Sequence, residues 1–207
     1  MAKSLMFMGL LLAAVAVHTT VASDPDLTTD FNVTNPAVED FTFTGFSNPM
    51  TLGKGMAMPM GANIPGLSGL GIAAVLFEFG PVSQIDPHTH PRGTEVFFVL
   101  SGALDVGFVD TANQLFETTV YTGDIFVFPK GTLHWQRNNG QGTASGFSAL
   151  TSENPGTLLA FEALFTAGGT GLPDNVLNAA LNVNANNGQI DDIKKAVAAR
   201  NNITLTW

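Results

Sequence analysis

The sequence of 207 residues contains no cysteine. That absence excludes disulfides, thiolate metal sites and a cysteine nucleophile. Charge is also sparse: Asp, Glu, Lys and Arg make up 12% of the chain, about half of the usual ~25%. Basic residues are the scarcer kind, eight against seventeen acidic ones, giving a formal net charge of −9. This balance argues against a nucleic-acid partner, because phosphate contacts need a basic face. No apolar run approaches the ~20 residues that span a bilayer, so no membrane span is expected. Intrinsic disorder is disfavoured too, since 45% of the residues are hydrophobic and disordered chains are poor in them.

The beginning of the chain reads as a targeting segment. Lys3 forms a short positive region, Leu5 to Val17 is an uncharged run of 13 residues, and Val21-Ala22-Ser23 supplies small residues before Asp24. Residues 1–23 are therefore expected to be a cleaved secretory signal peptide, and the remaining chain to be exported to the extracellular space, apoplast or cell wall. Removing Lys3 and His18 leaves seven basic against seventeen acidic residues, net −10, and three histidines. Two N-x-[ST] triplets, at Asn32 and Asn202, are possible glycosylation acceptors.

Residues 24–207 are expected to form one domain. Residues 24–71, rich in Gly, Pro, Asn and Met, read as an irregular N-terminal extension in which Phe41, Phe43 and Phe46 anchor the segment on a core. Residues 72–165 read as the β-barrel core. Short apolar runs (Ile72–Phe79, Glu95–Leu100, Leu104–Val109, Phe116–Tyr121, Ile125–Phe128, Thr132–Gln136 and Leu158–Phe165) are separated by Gly, Pro or Asn. Runs of this length and composition predict an antiparallel sandwich or barrel. In residues 173–201 the period changes. Val176 with Ala180, and Leu177 with Leu181, are helical i,i+4 pairs. Ile190, Ile193 and Val197 mark one face of a second helix, with Lys194, Lys195 and Arg200 in its later part. The expected fold is thus all-β with a short C-terminal α-helical hairpin, docked on a neighbouring subunit or on its own barrel.

The three remaining histidines fall in two patches punctuated by Gly and Pro. The first runs from Asp86 through His88 and His90 to Glu95 and Gly102; the second runs from Gly123 through Pro129, Gly131 and His134 to Asn138. In a strand His88 and His90 point to the same face. Glu95 begins the next strand, sharing a face with Phe97, Val99 and Ser101. An isolated histidine, or H-x-H alone, is ordinarily a hydrogen-bonded core or surface feature. The conjunction points to ligation: three imidazoles and a carboxylate converging inside a barrel make a metal site.

These patches resemble the two motifs of the germin-like branch of the cupin superfamily. The second, G-x5-P-x-G-x2-H-x3-N, is matched at Gly123, Pro129, Gly131, His134 and Asn138. The first, G-x5-H-x-H-x3/4-E-x6-G, is matched at His88, His90, Glu95 and Gly102, with Val82 in place of the leading glycine. The resemblance implies a jelly-roll β-barrel, a manganese ion on His88, His90, Glu95 and His134, and a homo-oligomer, trimer or hexamer, joined through the terminal segments. A His3Glu set with open positions suits six-coordinate Mn or Fe(II), whereas Zn usually takes four ligands; Cu and Ni are compatible with the same donors. Plant germins carry an N-terminal disulfide that this chain lacks, and the resemblance then implies a source outside the flowering plants, such as a moss, alga, fungus or slime mould, whose spherulins are related to this family.

The resemblance also bears on activity. Oxalate-oxidising germins hold oxalate with two asparagines, three and thirteen residues before the first metal histidine; here those places are Ile85 and Val75. Neither side chain can donate to a dianion, so oxalate oxidation is disfavoured. Superoxide dismutation, the activity of several germin-like proteins, needs only a redox metal, an open position, a proton source and room for a small anion. No catalytic residue beyond the metal ligands is expected. Arg92, Lys130 and Arg137, which lie in the motifs, read either as solvated turn charges or as a local field for an anion. The alternative is a non-enzymatic extracellular, cell-wall or storage protein in which the metal is structural.

Overall fold

Alternation of inward and outward side chains dominates the middle of the chain, and the strands follow it. The computed structural model describes residues 27–44, 51–52, 56–57, 64–183 and 188–206. The expected signal peptide and Phe46 lie outside the described residues. Eleven strands occur among those described: β1 (Thr51–Leu52), β2 (Met56–Ala57), β3 (Ala73–Phe79), β4 (Ser83–Thr89), β5 (Glu95–Ser101), β6 (Ala103–Val109), β7 (Leu115–Tyr121), β8 (Ile125–Phe128), β9 (Leu133–Asn138), β10 (Ala144–Leu150) and β11 (Leu158–Leu159). Three helices follow: α1 (Ala160–Phe165), α2 (Asp174–Leu181) and α3 (Gln189–Asn201).

The strands form two sheets, ordered β1-β2-β3-β10-β5-β8 and β11-β4-β9-β6-β7. Every pairing between them is antiparallel. The inward faces meet in one core. Phe77, Phe79, Phe97, Val99 and Phe128 come from the first sheet, and Ile85, Leu104, Val106 and Val120 from the second. This sheet-on-sheet arrangement, with the α-helices of the described residues all following β11, is the expected jelly roll.

Two local expectations need correction. Leu158–Phe165 is not a single strand: only Leu158–Leu159 pairs with β4, and Ala160–Phe165 is helix α1. A short, mostly apolar run broken only by Glu162 is too brief for its periodicity to distinguish the two. Phe41 does not reach the barrel core. It is 46% exposed, packs edge-on against Phe31 and lies where a Cβ on Gly66 would stand. Lys194 lies in α3, as expected. It is buried, its ammonium donating to Asp174 Oδ1 at 2.6 Å and to the Leu172 carbonyl at 3.2 Å.

The helices are held on their own chain. Phe165, Leu177 and Ile190 form a second small core with Leu172, Val183 and Val197 packed against it. Near the end of α3, Arg200 forms an ion pair with Asp86 of β4, which ties the helical tail to the strand bearing His88. Among the described residues no helix is long and apolar enough to cross a membrane.

Candidate metal centre

The four sequence-selected ligands meet at one end of the core. His88 lies on β4 directly opposite His134 on β9, and their rings are 4.1 Å apart. Between the pairs Ile85–Gln136 and His88–His134, β4 uses one residue more than β9. This bulge falls at Asp86-Pro87, where proline has no N–H for the ladder. Its effect is to turn both Ile85 and His88 inward although they are three residues apart. His90 follows β4 and is anchored by its own carbonyl, which accepts the Gly131 N–H at 3.0 Å. Glu95 opens β5 and points into the same space from the facing sheet.

All four side chains are buried, and one possible ligand atom from each lies within 4.8 Å of the others. The ring orientations are fixed from behind. His88 Nδ1 donates to the Asp86 carbonyl at 2.8 Å, His134 Nδ1 to the Thr132 carbonyl at 2.8 Å, and His90 Nδ1 to the Gly156 carbonyl at 2.5 Å. A carbonyl can only accept, so each neutral ring carries its proton on Nδ1 and turns the Nε2 lone pair inward. Such outer partners commonly orient metal-bound histidines.

The carboxylate is prepared in the same way. Glu95 Oε1 accepts from Ser148 Oγ at 2.5 Å and from Gln136 Nε2 at 3.2 Å. Its other oxygen, Oε2, is 3.1 Å from His90 Nε2 and 3.4 Å from His134 Nε2. Among the described residues, buried Oε2 of Glu95 and Nε2 of His134 find no hydrogen-bond partner. Converging acceptors at this distance need a cation between them, a proton or a metal ion. The donor set therefore fits a divalent metal.

Titration follows from the same crowding. Burial, reinforced by the neighbouring His134, pushes His88 down to about 3, so the ring is neutral and ready to ligate at neutral pH. Burial opposes ionisation of Glu95, but its contacts with His134, His90 and Ser148 outweigh that penalty and hold the carboxyl well below the usual range. For His90, burial disfavours the charge, yet Glu95 and the Gly156 carbonyl together raise its pKa. Metal binding therefore competes with a proton more at His90 than at His88.

The remaining motif residues build the frame. Asn138 is buried, its Nδ2 directed at the carbonyls of Phe79, Gly80 and Gly142 and its Oδ1 accepting from the Gly140 N–H. Gly102, Gly123 and Gly131 all have positive φ, and Thr132 closes the turn onto the Pro129 carbonyl. Sequence reasoning missed Ser148, Gln136 and Gly156, the groups that hold Glu95 and His90. Ser148 is on a strand of small residues that shows no apolar run; Gln136 shares an inward face with His134, which spacing alone could have flagged.

A cupin family model matches residues 61–189. Germin-like protein subfamily 2 member 2 of Arabidopsis thaliana is 41% identical over 170 residues, covering 80% of this chain and 76% of the relative. The chain is a germin-like cupin. Germin-like protein 5-1 of Oryza sativa subsp. japonica is 38% identical over 209 residues, covering 92% and 93% of the two chains. Among solved structures, an oxalate oxidase superposes with a TM-score of 0.77 at 29% identity, covering 86% of this germin-like cupin and 99% of the oxidase.

Of the two places discussed above for an oxalate ligand, Ile85 belongs to the core and Val75 packs against it. Arg92 lies in the turn after His90 and bonds to Asn154. Both glycosylation triplets carry an exposed asparagine, Asn32 and Asn202.

Proposed function

We propose that the protein is an exported, manganese-binding germin-like protein that dismutes superoxide. The observation that carries the reading is the set of three imidazole Nε2 atoms and one carboxylate oxygen facing a single point, with every Nδ1 already committed to a backbone carbonyl. Manganese held there would supply two interconvertible oxidation states. The chain's own part is to fix the ligand geometry, hold the Glu95 carboxylate in place through Ser148 and Gln136, and exclude larger substrates. Apolar Ile85 and Val75 favour a small anion over a dicarboxylate, because each missing donor in a desolvated site costs ~1–3 kcal/mol. Iron, copper or nickel on the same ligands is a metal assay's alternative outcome.

Homo-oligomerisation belongs to the same reading. Val96, Phe98 and Leu100 of β5 and Ile125 and Val127 of β8 are exposed on the outer face of the first sheet, and Val176 and Leu181 are exposed on the helical tail. Apolar surface of this extent on neighbouring strands is a mark of an interface. Deleting residues 173–207 is expected to lower the number of subunits seen by sedimentation.

The test is the dismutation rate of purified protein per bound metal ion, compared with His88→Ala and with oxalate as an alternative substrate. A fast rate that disappears with the ligand, and no peroxide from oxalate, supports the reading. No rate from fully manganese-loaded protein overturns it. A second reading then leads, favoured by the burial of all four ligands: a structural metal in an extracellular or storage protein. Azide binding separates the two, since a closed structural site does not take up the anion.

A further inference from the structure

His90 is held differently from the other two imidazoles. His88 and His134 each donate to a carbonyl two residues earlier in their own chain segment. His90 instead donates to Gly156, 66 positions away, in the irregular stretch between β10 and β11. The orientation of this ligand therefore depends on where residues 152–157 sit. A strand ladder does not place them.

Arg92, two residues past His90, makes the connection. Its backbone N–H donates to the Pro155 carbonyl at 3.1 Å. Its guanidinium donates from Nε to the Asn154 carbonyl at 2.5 Å and from Nη2 to Asn154 Oδ1 at 2.8 Å. The guanidinium also lies flat against Gly156: a Cβ there would stand 2.8 Å from Arg92 Nη2. Gly156 has φ +70, so glycine is required both for the backbone and for this approach. At the other side of the loop, Glu153 accepts the Gly69 N–H, and the Asn154 N–H bonds to the buried Ser152 hydroxyl at 3.1 Å.

We infer that Arg92 is a positioning residue for the metal, clamping residues 154–156 so that the Gly156 carbonyl holds the His90 ring with Nε2 turned toward Glu95. The inference rests on the metal reading above. A two-pronged grip on a carbonyl and an amide oxygen is specific to the planar guanidinium; lysine keeps the charge but offers one donor head. Arg92→Lys thus separates the grip from any long-range charge effect. Loss of an outer partner of a metal histidine typically weakens the metal 10- to 100-fold, and an indirect loss belongs at the lower end.

The test titrates metal-free wild type, Arg92→Lys, Arg92→Gln and Arg137→Lys with Mn(II), and follows the three imidazoles by NMR in the metal-free state. Arg92→Lys and Arg92→Gln are expected to bind about tenfold more weakly, with Arg137→Lys unchanged. Only the His90 Nδ1–H resonance should move, and the metal-free melting temperature should stay at the wild-type value. Equal affinities with an unmoved His90 resonance overturn the clamp. So does joint movement of all three rings with a lowered metal-free melting temperature, which makes Arg92 merely structural. If wild type takes up no Mn(II), the metal reading fails, and the His90 resonance alone decides the clamp. Should the Arg92 variants not fold, Asn154→Ala, which removes only the Oδ1 half of the grip, must weaken Mn(II) and shift His90 in the same sense.

Discussion

Val82 stands where the first germin motif has glycine, and its φ is +54. The position opens the turn into β4, with the Val82 N–H donating to the Gly140 carbonyl at 3.3 Å. A left-handed backbone costs a non-glycine residue ~1–2 kcal/mol, and a β-branched side chain belongs at the top of that range. Glycine would remove the strain but regain ~0.5–1 kcal/mol of unfolded-state freedom. The valine side chain is 59% exposed, so little burial is lost. Val82→Gly is therefore expected to stabilise the protein by about 1 kcal/mol, a rise in Tm of ~2–4 °C for a chain of this size. The same change at Val127, 46% exposed in extended β8, serves as the control. It should destabilise by ~1 kcal/mol, because glycine there has only its entropy cost and poor strand packing. Thermal unfolding of both variants in the metal-free state gives the answer. If Val82→Gly melts at or below wild type, the left-handed strain assigned to this turn is wrong.

Three further outcomes follow from the site. Ser148→Ala removes the 2.5 Å hydrogen bond to Glu95, and manganese affinity should fall ~10- to 100-fold in a direct titration. The folded pKa of His88, lowered by burial to about 3, lies below its unfolded value of ~6.5. The unfolded state then binds the extra proton, and metal-free stability should fall by ~1.4 kcal/mol per pH unit as pH drops below ~6.5. The raised His90 pKa acts the other way, but its contribution is complete below that pH. A His88→Gln variant whose melting temperature fell just as steeply with acidity would sink this account. Removal of the metal should lower the melting temperature, by an amount that grows with free ion as RT ln(1 + [L]/Kd); chelator-treated and manganese-loaded samples melting alike would contradict the site.

Much of the fold was legible because the core is built by alternation. Glu95, Phe97 and Val99 are buried on one face of β5 while Val96, Phe98 and Leu100 are exposed, as period-two reasoning requires. Ser101 breaks the pattern by turning outward, next to the irregular pairing at Ser145–Gly146. The four ligands were legible from motif spacing. Strand β10 was not, although it lies between β3 and β5. Its apolar residues are interrupted by Ser145, Gly146 and Ser148, and Gly146 is glycine because the Phe97 ring lies over it, where a Cβ would come within 2.3 Å. The inward turn of Ile85 was hidden by the bulge at Asp86-Pro87, a feature without a period. The burial of Lys194 depends on an aspartate 20 positions away, a relation that no local pattern encodes.

The spacing of the ligands has a consequence for how the site is assembled. His88, His90 and Glu95 lie within eight residues, whereas His134 is 39 residues beyond Glu95. In the unfolded chain that short segment would offer a metal three donors, and any ion held there would subtract from the stability that binding confers on the native state. What folding adds is the fourth ligand, delivered when β9 pairs with β4, together with the burial of all four. An ion taken up early is enclosed at that moment.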